Sequence, residues 1–279
     1  MLIKKVEEIK KIKEGGKIIG RVLSELSKMA KPGVTTWEID QKAEELIVKA
    51  GGRPSFKDYV SNTYDPPFPC TICASLNQGL VHGIAKKEVA LQNGDIFSID
   101  IGMEWPITEN RKQKTENRNR GWFTDTAITL AIGEIDPKVR ELLRVTKQSL
   151  EVAIKTVKPG ISVADIGGAI EKYVKSQGKY GIVRDLVGHG VGHEVHEEPM
   201  IPNYYDKKMT GFILKPGMVI AIEPMISLGG YEIKVGDDGW TIEMADGSMC
   251  AHFEHTLAIT KTGCEVMTRR PNEKKEKFF

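Results

Sequence analysis

The chain has 279 residues, of which 40% are hydrophobic and 28% charged, and a formal net charge of +2. That size and balance exclude a disordered or fibrous chain, and they leave no bulk charge for gripping nucleic acid or a membrane, so partners must be read from local patches. Four cysteines are too few for a disulfide framework in a chain this long.

The amino-terminal "MLIKKVEEIKKIKEGG" is charged throughout and lacks the apolar segment of a secretory signal. No stretch reaches the roughly 18 apolar residues of a membrane span, so a cytoplasmic protein with no membrane contact is expected. A helical pattern runs from about Glu14 to Ala30. "KPGVTTWEIDQKAEELIVKAGG", from Lys31, then reads as a turn at Pro32-Gly33 followed by an amphipathic helix. Cys70-x-x-Cys73 is half of a structural zinc spacing, but Cys250 and Cys264 do not complete it, and buried reduced thiols are the expectation.

"NGDIFSIDIG", from Asn93, alternates as a strand with Asp100 among apolar neighbours. Between Trp105 and Arg120 lies a charged insertion with five Lys or Arg against two acids; a solvated hairpin tip is the plainer reading, and a contact with the ribosome, whose RNA is a polyanion, is the functional one. "FTDTAITLAIG" is a second strand, carrying Asp125, and a helix follows from Pro137 to Val157. From Lys158, "KPGISVADIGGAIEKYVKSQGK" aligns without gaps with the segment that began at Lys31.

"GHGVGHEVHEEP", from Gly188, holds His189 and His193 four apart, the spacing of one helix face. Gly188, Gly190 and Gly192 would each cost a helix about 1 kcal/mol relative to Ala, so a loop or irregular strand is predicted. "PGMVIAIEPM" repeats the earlier strand pattern with Glu223 in the place of Asp100, and "FEHTLAIT" carries Glu254 as "FTDTAITLAIG" carries Asp125, with a slip of one residue that a bulge could absorb. Two copies of helix, helix, strand, strand predict one pseudo-symmetric domain, with acids meeting between the halves. The basic tail "RRPNEKKEKFF" is expected to fray.

Four carboxylates on such apolar strands are too costly to bury without counter-charge, and those strands carry no Lys or Arg. Divalent cations are the natural partners. Four acids with one imidazole suffice for two ions, and a ligand set without thiolates suits Mn, Fe(II), Co or Zn without choosing among them. Water bridging two such ions has its pKa lowered from 15.7 toward about 7, which points to metal-assisted hydrolysis.

These motifs, in this order, resemble the type I methionine aminopeptidases of the pita-bread fold over about residues 10 to 268. The resemblance implies an α/β (α+β) chain with duplicated helix-helix-strand-strand halves, about 10–133 and 134–268, around a mainly antiparallel curved sheet. It also implies a single catalytic domain over 1–268, with the insertion at 105–120 and a tail over 269–279. It makes Asp100, Asp125, His189, Glu223 and Glu254 ligands of two divalent metals. The implied reaction is removal of the N-terminal methionine of nascent polypeptides by a metal-bridging hydroxide, in a cytoplasmic monomer. Glu223 is expected to move the proton of the attacking water, His196 to stabilise the oxyanion, and His82, from "LVHGI", to assist at the scissile nitrogen. Phe68, Cys73 and Trp240 fall at the methionine pocket, His193 is a bystander, and His252 and His255 flank Glu254 as neighbours that orient ligands.

The pocket departs from the family pattern at Asp65 and Phe68, where relatives carry tyrosines, and at Val195, where many carry phenylalanine. Strict preference for methionine is therefore less firmly implied than the chemistry. An Xaa-Pro aminopeptidase of the same fold normally carries a long N-terminal domain, and type II enzymes carry a helical insertion for which the interval from His196 to Glu223 has no room. A metal-free binding relative would have lost ligands that are all present here.

Overall fold

The repeat read along the chain is built as two matching helix pairs. In the computed structural model, which describes residues 2–60, 66–107, 121–271 and 273, α1 (Val6–Met29) and α2 (Thr36–Lys49) form one pair, and α3 (Pro137–Thr156) and α4 (Val163–Gln177) the other. α2 and α4 start alike: Thr35 accepts the Glu38 N–H at 3.1 Å while Glu38 accepts the Thr35 N–H at 2.8 Å, and Ser162 with Asp165 repeats the exchange at 3.2 and 2.8 Å. Each box satisfies amide donors at its helix start. Just before them, Gly33 and Gly160 take φ of 91° and 89°, a conformation that favours glycine.

α1 starts at Val6, earlier than the Glu14 predicted. Glu8 closes its first turn by accepting the Lys5 N–H at 2.6 Å, and glycines inside the helix serve packing. A Cβ on Gly16 would meet the Met267 carbonyl oxygen at 2.6 Å, and one on Gly20 would meet that of Arg269 at 2.8 Å. The carboxy-terminal segment thus lies directly on α1.

The first half supplies β1 (Arg53–Pro54), β2 (Ile72–Leu76), β3 (Gly79–Val81), β4 (Ile96–Trp105) and β5 (Trp122–Ala131). The second supplies β6 (Gly181–Ile182), β7 (Gly188–Gly190), β8 (Glu197–Ile201), β9 (Val219–Ile222), β10 (Met225–Ser227), β11 (Ile233–Val235), β12 (Ile242–Met244), β13 (Cys250–His252), β14 (Glu254–Ile259) and β15 (Cys264–Val266). Nine strands form one sheet in the order β1-β4-β5-β14-β9-β7-β8, with β2 also on β4 and β15 also on β14. All its pairings are antiparallel. β5 meets β14 at the seam between the halves, with β4 and β9 as matching outer neighbours.

One apolar core, including Ile19, Leu23, Phe97, Leu142, Ile170 and Ile222, runs through both halves. No helix among the described residues is long and apolar enough to cross a membrane. Of the insertion, 108–120 lies outside the described residues, as does Asp65. The tail, expected to fray, is docked where it is described: Arg270 and Glu273 are buried, and Glu273 reaches Arg269, Arg270 and His255. Residues 274–279 lie outside the described residues.

Candidate metal centre

Strand register explains why the carboxylates converge. β4 and β5 pair without a shift from Ile96↔Ala131 to Trp105↔Trp122, which puts Asp100 opposite Ala127 and Asp125 opposite Gly102. From the other side of β5, Glu254 also stands opposite Ala127. Residues opposite one another share a face, as do residues two apart on one strand, so Asp100, Asp125 and Glu254 all surround the small side chain of Ala127. The one-residue slip with a bulge, predicted from the motifs, is therefore replaced by an unbroken ladder. Asp125 sits two positions from Ala127, and an even offset keeps the face.

Threonines stitch this seam shut. Thr256 Oγ accepts the Asp125 N–H at 3.0 Å and donates to the Asp125 carbonyl at 2.8 Å, and Thr126 Oγ donates to the Glu254 carbonyl at 2.9 Å. They pin the backbones on which two of the acids stand, and nothing in hydropathy or spacing singles them out.

Glu223 follows β9, and His189 lies in β7. Between Gly188 and Gly190 the pairing with β8 shifts register, the irregular strand predicted for this segment. Its glycines allow close backbone approach: a Cβ on Gly188 would meet the Ala221 carbonyl oxygen at 2.4 Å, and one on Gly190 that of Glu198 at 2.1 Å. The Gly190 carbonyl accepts from His189 Nδ1 at 2.9 Å. That bond puts the ring proton on Nδ1 and leaves the Nε2 lone pair, 3.6 Å from Glu223 Oε1, aimed at the acids.

Three overlapping groups have ligand atoms within 4.8 Å of one another: Asp100, Asp125 and Glu254; His189, Glu223 and Glu254; and Asp125, His189 and His196. Asp100 Oδ1 and Glu254 Oε1 are buried without a hydrogen-bond partner. Burial, reinforced by the neighbouring carboxylates, holds Asp100 and Glu254 well above the usual carboxylate range. Burial and Glu223 push Asp125 up to about 7, and burial pushes Glu223 up to about 8. Burial holds His189 down to about 3, so it is neutral and able to donate its lone pair. Orphaned oxygens, a neutral imidazole and acids crowded together are what divalent cations fit. No cysteine joins these groups among the described residues; Cys70, Cys73 and Cys250 are buried free thiols, as expected, and Cys264 is half-buried.

A cavity of about 820 Å³ opens onto the acids, with His82 and His196 in its wall. His196 packs edge-on against His189 with ring centroids 4.5 Å apart, and its Nδ1 lies 3.3 Å from the Tyr59 hydroxyl, a partner that sequence reading missed. His82 takes φ of 57°, in the left-handed region, a strained conformation of the kind found where a side chain must be aimed. Phe68 and Trp240 close one end of the cavity edge-to-face, centroids 5.2 Å apart, and Cys73, opposite Asp100 in β2, lines it too. Val195 is buried in the core and is not in the cavity wall; its difference from relatives does not reshape the pocket directly.

The other histidines divide by strand parity. His252 faces Glu223, whereas His255 turns away to Thr268 at 3.0 Å and Glu273 at 2.9 Å. His193 is off the cavity but holds the loop to α1 through Glu8 at 3.1 Å. Beside it, Glu197 accepts from the His193 and Glu194 N–H groups and from Lys4 Nζ at 2.6 Å, a buried clamp between chain segments far apart in sequence.

A chain with this sheet and this cluster of acids is a metallopeptidase: residues 10–261 match the model of metallopeptidase family M24, and the chain belongs to that family. It is 42% identical over 269 residues to methionine aminopeptidase 1 of Bacillus subtilis, covering 96% of this chain and 99% of that one. A crystal structure of methionine aminopeptidase from Thermotoga maritima superposes with a TM-score of 0.85 at 40% identity, covering 97% of this chain and 100% of that one. Prolidase from Pyrococcus horikoshii, at 23% identity and a TM-score of 0.72 over 64% of its length, shares the pita-bread fold alone.

Proposed function

We infer that this chain is a metal-dependent aminopeptidase that removes the N-terminal methionine from polypeptides. The observation that carries the reading is the convergence of the four acids and His189 on one face of the sheet, at the floor of a cavity whose far end is apolar. In this reading, Asp100, Asp125, His189, Glu223 and Glu254 hold two divalent ions, drawn from Co, Mn, Fe(II) or Zn, within one catalytic domain over residues 1–268.

Such ions supply Lewis-acid polarisation of a carbonyl and a lowered pKa for water. The protein's own groups do the rest. Glu223, which lines the cavity beside His189, takes and returns the proton of the attacking water. His196, half anchored by Tyr59, stabilises charge developing on the carbonyl oxygen, and His82 meets the scissile nitrogen. Phe68, Cys73 and Trp240 take the unbranched methionine side chain. The partners are N-termini of nascent chains, met by a monomer in the cytoplasm. Contact of the basic 105–120 segment with the ribosome is a further reading, refuted by unchanged ribosome co-sedimentation when that segment is replaced with a short turn.

The decisive experiment is hydrolysis of Met-Ala-Ser beside Ala-Pro and Leu-Ala peptides by the metal-reconstituted protein. Cleavage of the first alone is expected. Preference for Ala-Pro would transfer the chain to Xaa-Pro enzymes, and a protein that takes up no metal would make it a binding relative. Asp100→Asn and His189→Ala should each lose more than about 100-fold in kcat/KM, beyond what outer-shell changes cost; full turnover in either would exclude the dinuclear reading.

A further inference from the structure

His252 is 1% exposed, at the end of β13, and neither ring nitrogen has a hydrogen-bond partner. Two orphaned polar atoms in a buried ring cost roughly 1–3 kcal/mol each, and with Asp100 Oδ1 and Glu254 Oε1 also unpartnered, the place of this ring among the acids calls for a use. Its backbone is held unusually firmly. The His252 N–H donates to Thr129 Oγ at 2.8 Å, and the same hydroxyl donates to the His252 carbonyl at 2.9 Å. With the Thr129 proton spent there, Ser98 Oγ, 2.8 Å away, donates to Thr129 in turn. The ring is thus delivered to a fixed place by a chain of hydroxyls from β4 and β5.

That place is beside Glu223. His252 Nε2 lies 3.4 Å from Glu223 Oε2, while His189 Nε2 lies 3.6 Å from Oε1 of the same carboxylate. Two imidazoles face the two oxygens of one acid. His189 belongs to the groups that could hold an ion, and His252 belongs to none of them, so its role is not that of a ligand.

We propose that His252 is a positioning residue for Glu223: in the metal-loaded protein its Nε2–H donates to Oε2, fixing the carboxylate so that Oε1 is presented to the cation beside His189. The assignment rests on the reading of Glu223 as a metal ligand. A carboxylate free to rotate would present either oxygen or both, at a cost in affinity of the 10- to 100-fold kind seen when such outer partners are removed.

The test uses the full-length protein freed of metal by chelator and titrated with Co(II), read by calorimetry and by the visible absorption of the bound ion. His252→Leu removes the donor and keeps bulk; His252→Gln keeps an N–H at a similar reach. The leucine variant should bind about 10-fold or more weakly with an altered absorption spectrum, and the glutamine variant should fall within about threefold of the parent. Thermal unfolding of the metal-free variants checks that both fold. If His252→Leu binds Co(II) like the parent, or His252→Gln falls as far as His252→Leu, the assignment is wrong while the functional reading stands. A parent protein that takes up no Co(II) overturns both.

Discussion

Lys4→Met tests whether the clamp under the histidine loop is held by charge. The Lys4 side chain is 1% exposed and that of Glu197 11%, with 2.6 Å between Nζ and Oε2. Breaking a buried pair by removing one partner costs about 3–5 kcal/mol, because the remaining charge is left without compensation. Glu197 retains the His193 and Glu194 N–H groups, and such charge-assisted bonds at about 1.5–3 kcal/mol each offset part of the loss. The net expectation is about 2–3 kcal/mol, or a Tm lower by roughly 4–12 °C at 2–4 °C per kcal/mol for a chain of this size or somewhat smaller. Urea unfolding of the metal-free protein, with Glu197→Gln and the double variant closing a cycle, gives the coupling directly. Burial alone would raise the Glu197 carboxyl, but Lys4 and the backbone donors outweigh it and hold it below the usual range. A lowered folded value means that the contribution is present above the ordinary carboxyl pKa and fades as pH falls through the folded one. The gap between Lys4→Met and parent should therefore shrink in acid. A loss under about 1 kcal/mol with no coupling, or a gap that widens as pH falls, would refute the argument.

Two further outcomes follow from the acids. Ala127→Leu would thrust a side chain between Asp100 and Glu254; a stability loss of about 1–3 kcal/mol is expected from overpacking, together with loss of Co(II) uptake, and undiminished uptake would contradict the strand geometry. With Asp125 at about 7 and Glu223 at about 8, the metal-free site holds protons at neutral pH that cations must displace. Metal affinity should rise from pH 6 to about 8.5 with protons released. Because these folded values are raised, the metal-free protein binds more protons than its unfolded chain between about pH 4 and 8 and should lose stability across that window as pH rises. Calorimetry in two buffers of different ionisation heat counts the protons; none released at pH 7 would rule the account out.

Much of this was legible because duplication writes itself twice. The turns at Gly33 and Gly160 and the acids of the strand motifs are local patterns, and the glycines of 188–199 argue against a helix there, whereas the capping boxes at Thr35 and Ser162 emerge only in the structure. What escaped notice depends on contacts with no sequence period. Lys4 meeting Glu197, Tyr59 meeting His196, and Glu273 meeting His255 join segments whose proximity only the folded sheet creates. α1 begins before the pattern that starts at Glu14 because Glu8 closes its first turn on the Lys5 N–H and Gly16 sits against the Met267 carbonyl, contacts that no periodicity announces. His193 seemed idle for the same reason, since its partner Glu8 lies near the other end of the chain.

The seam between β5 and β14 bears on ancestry. Asp100 and Asp125 come from one half, His189, Glu223 and Glu254 from the other, and each of the three groups of potential ligands draws on the second half, two of them on both. A chain of half this length could assemble such a centre only by pairing with a copy of itself, and the copy would present the same residues from both sides. In one continuous chain the two sides need not match, and His189 stands on one side of the acids only.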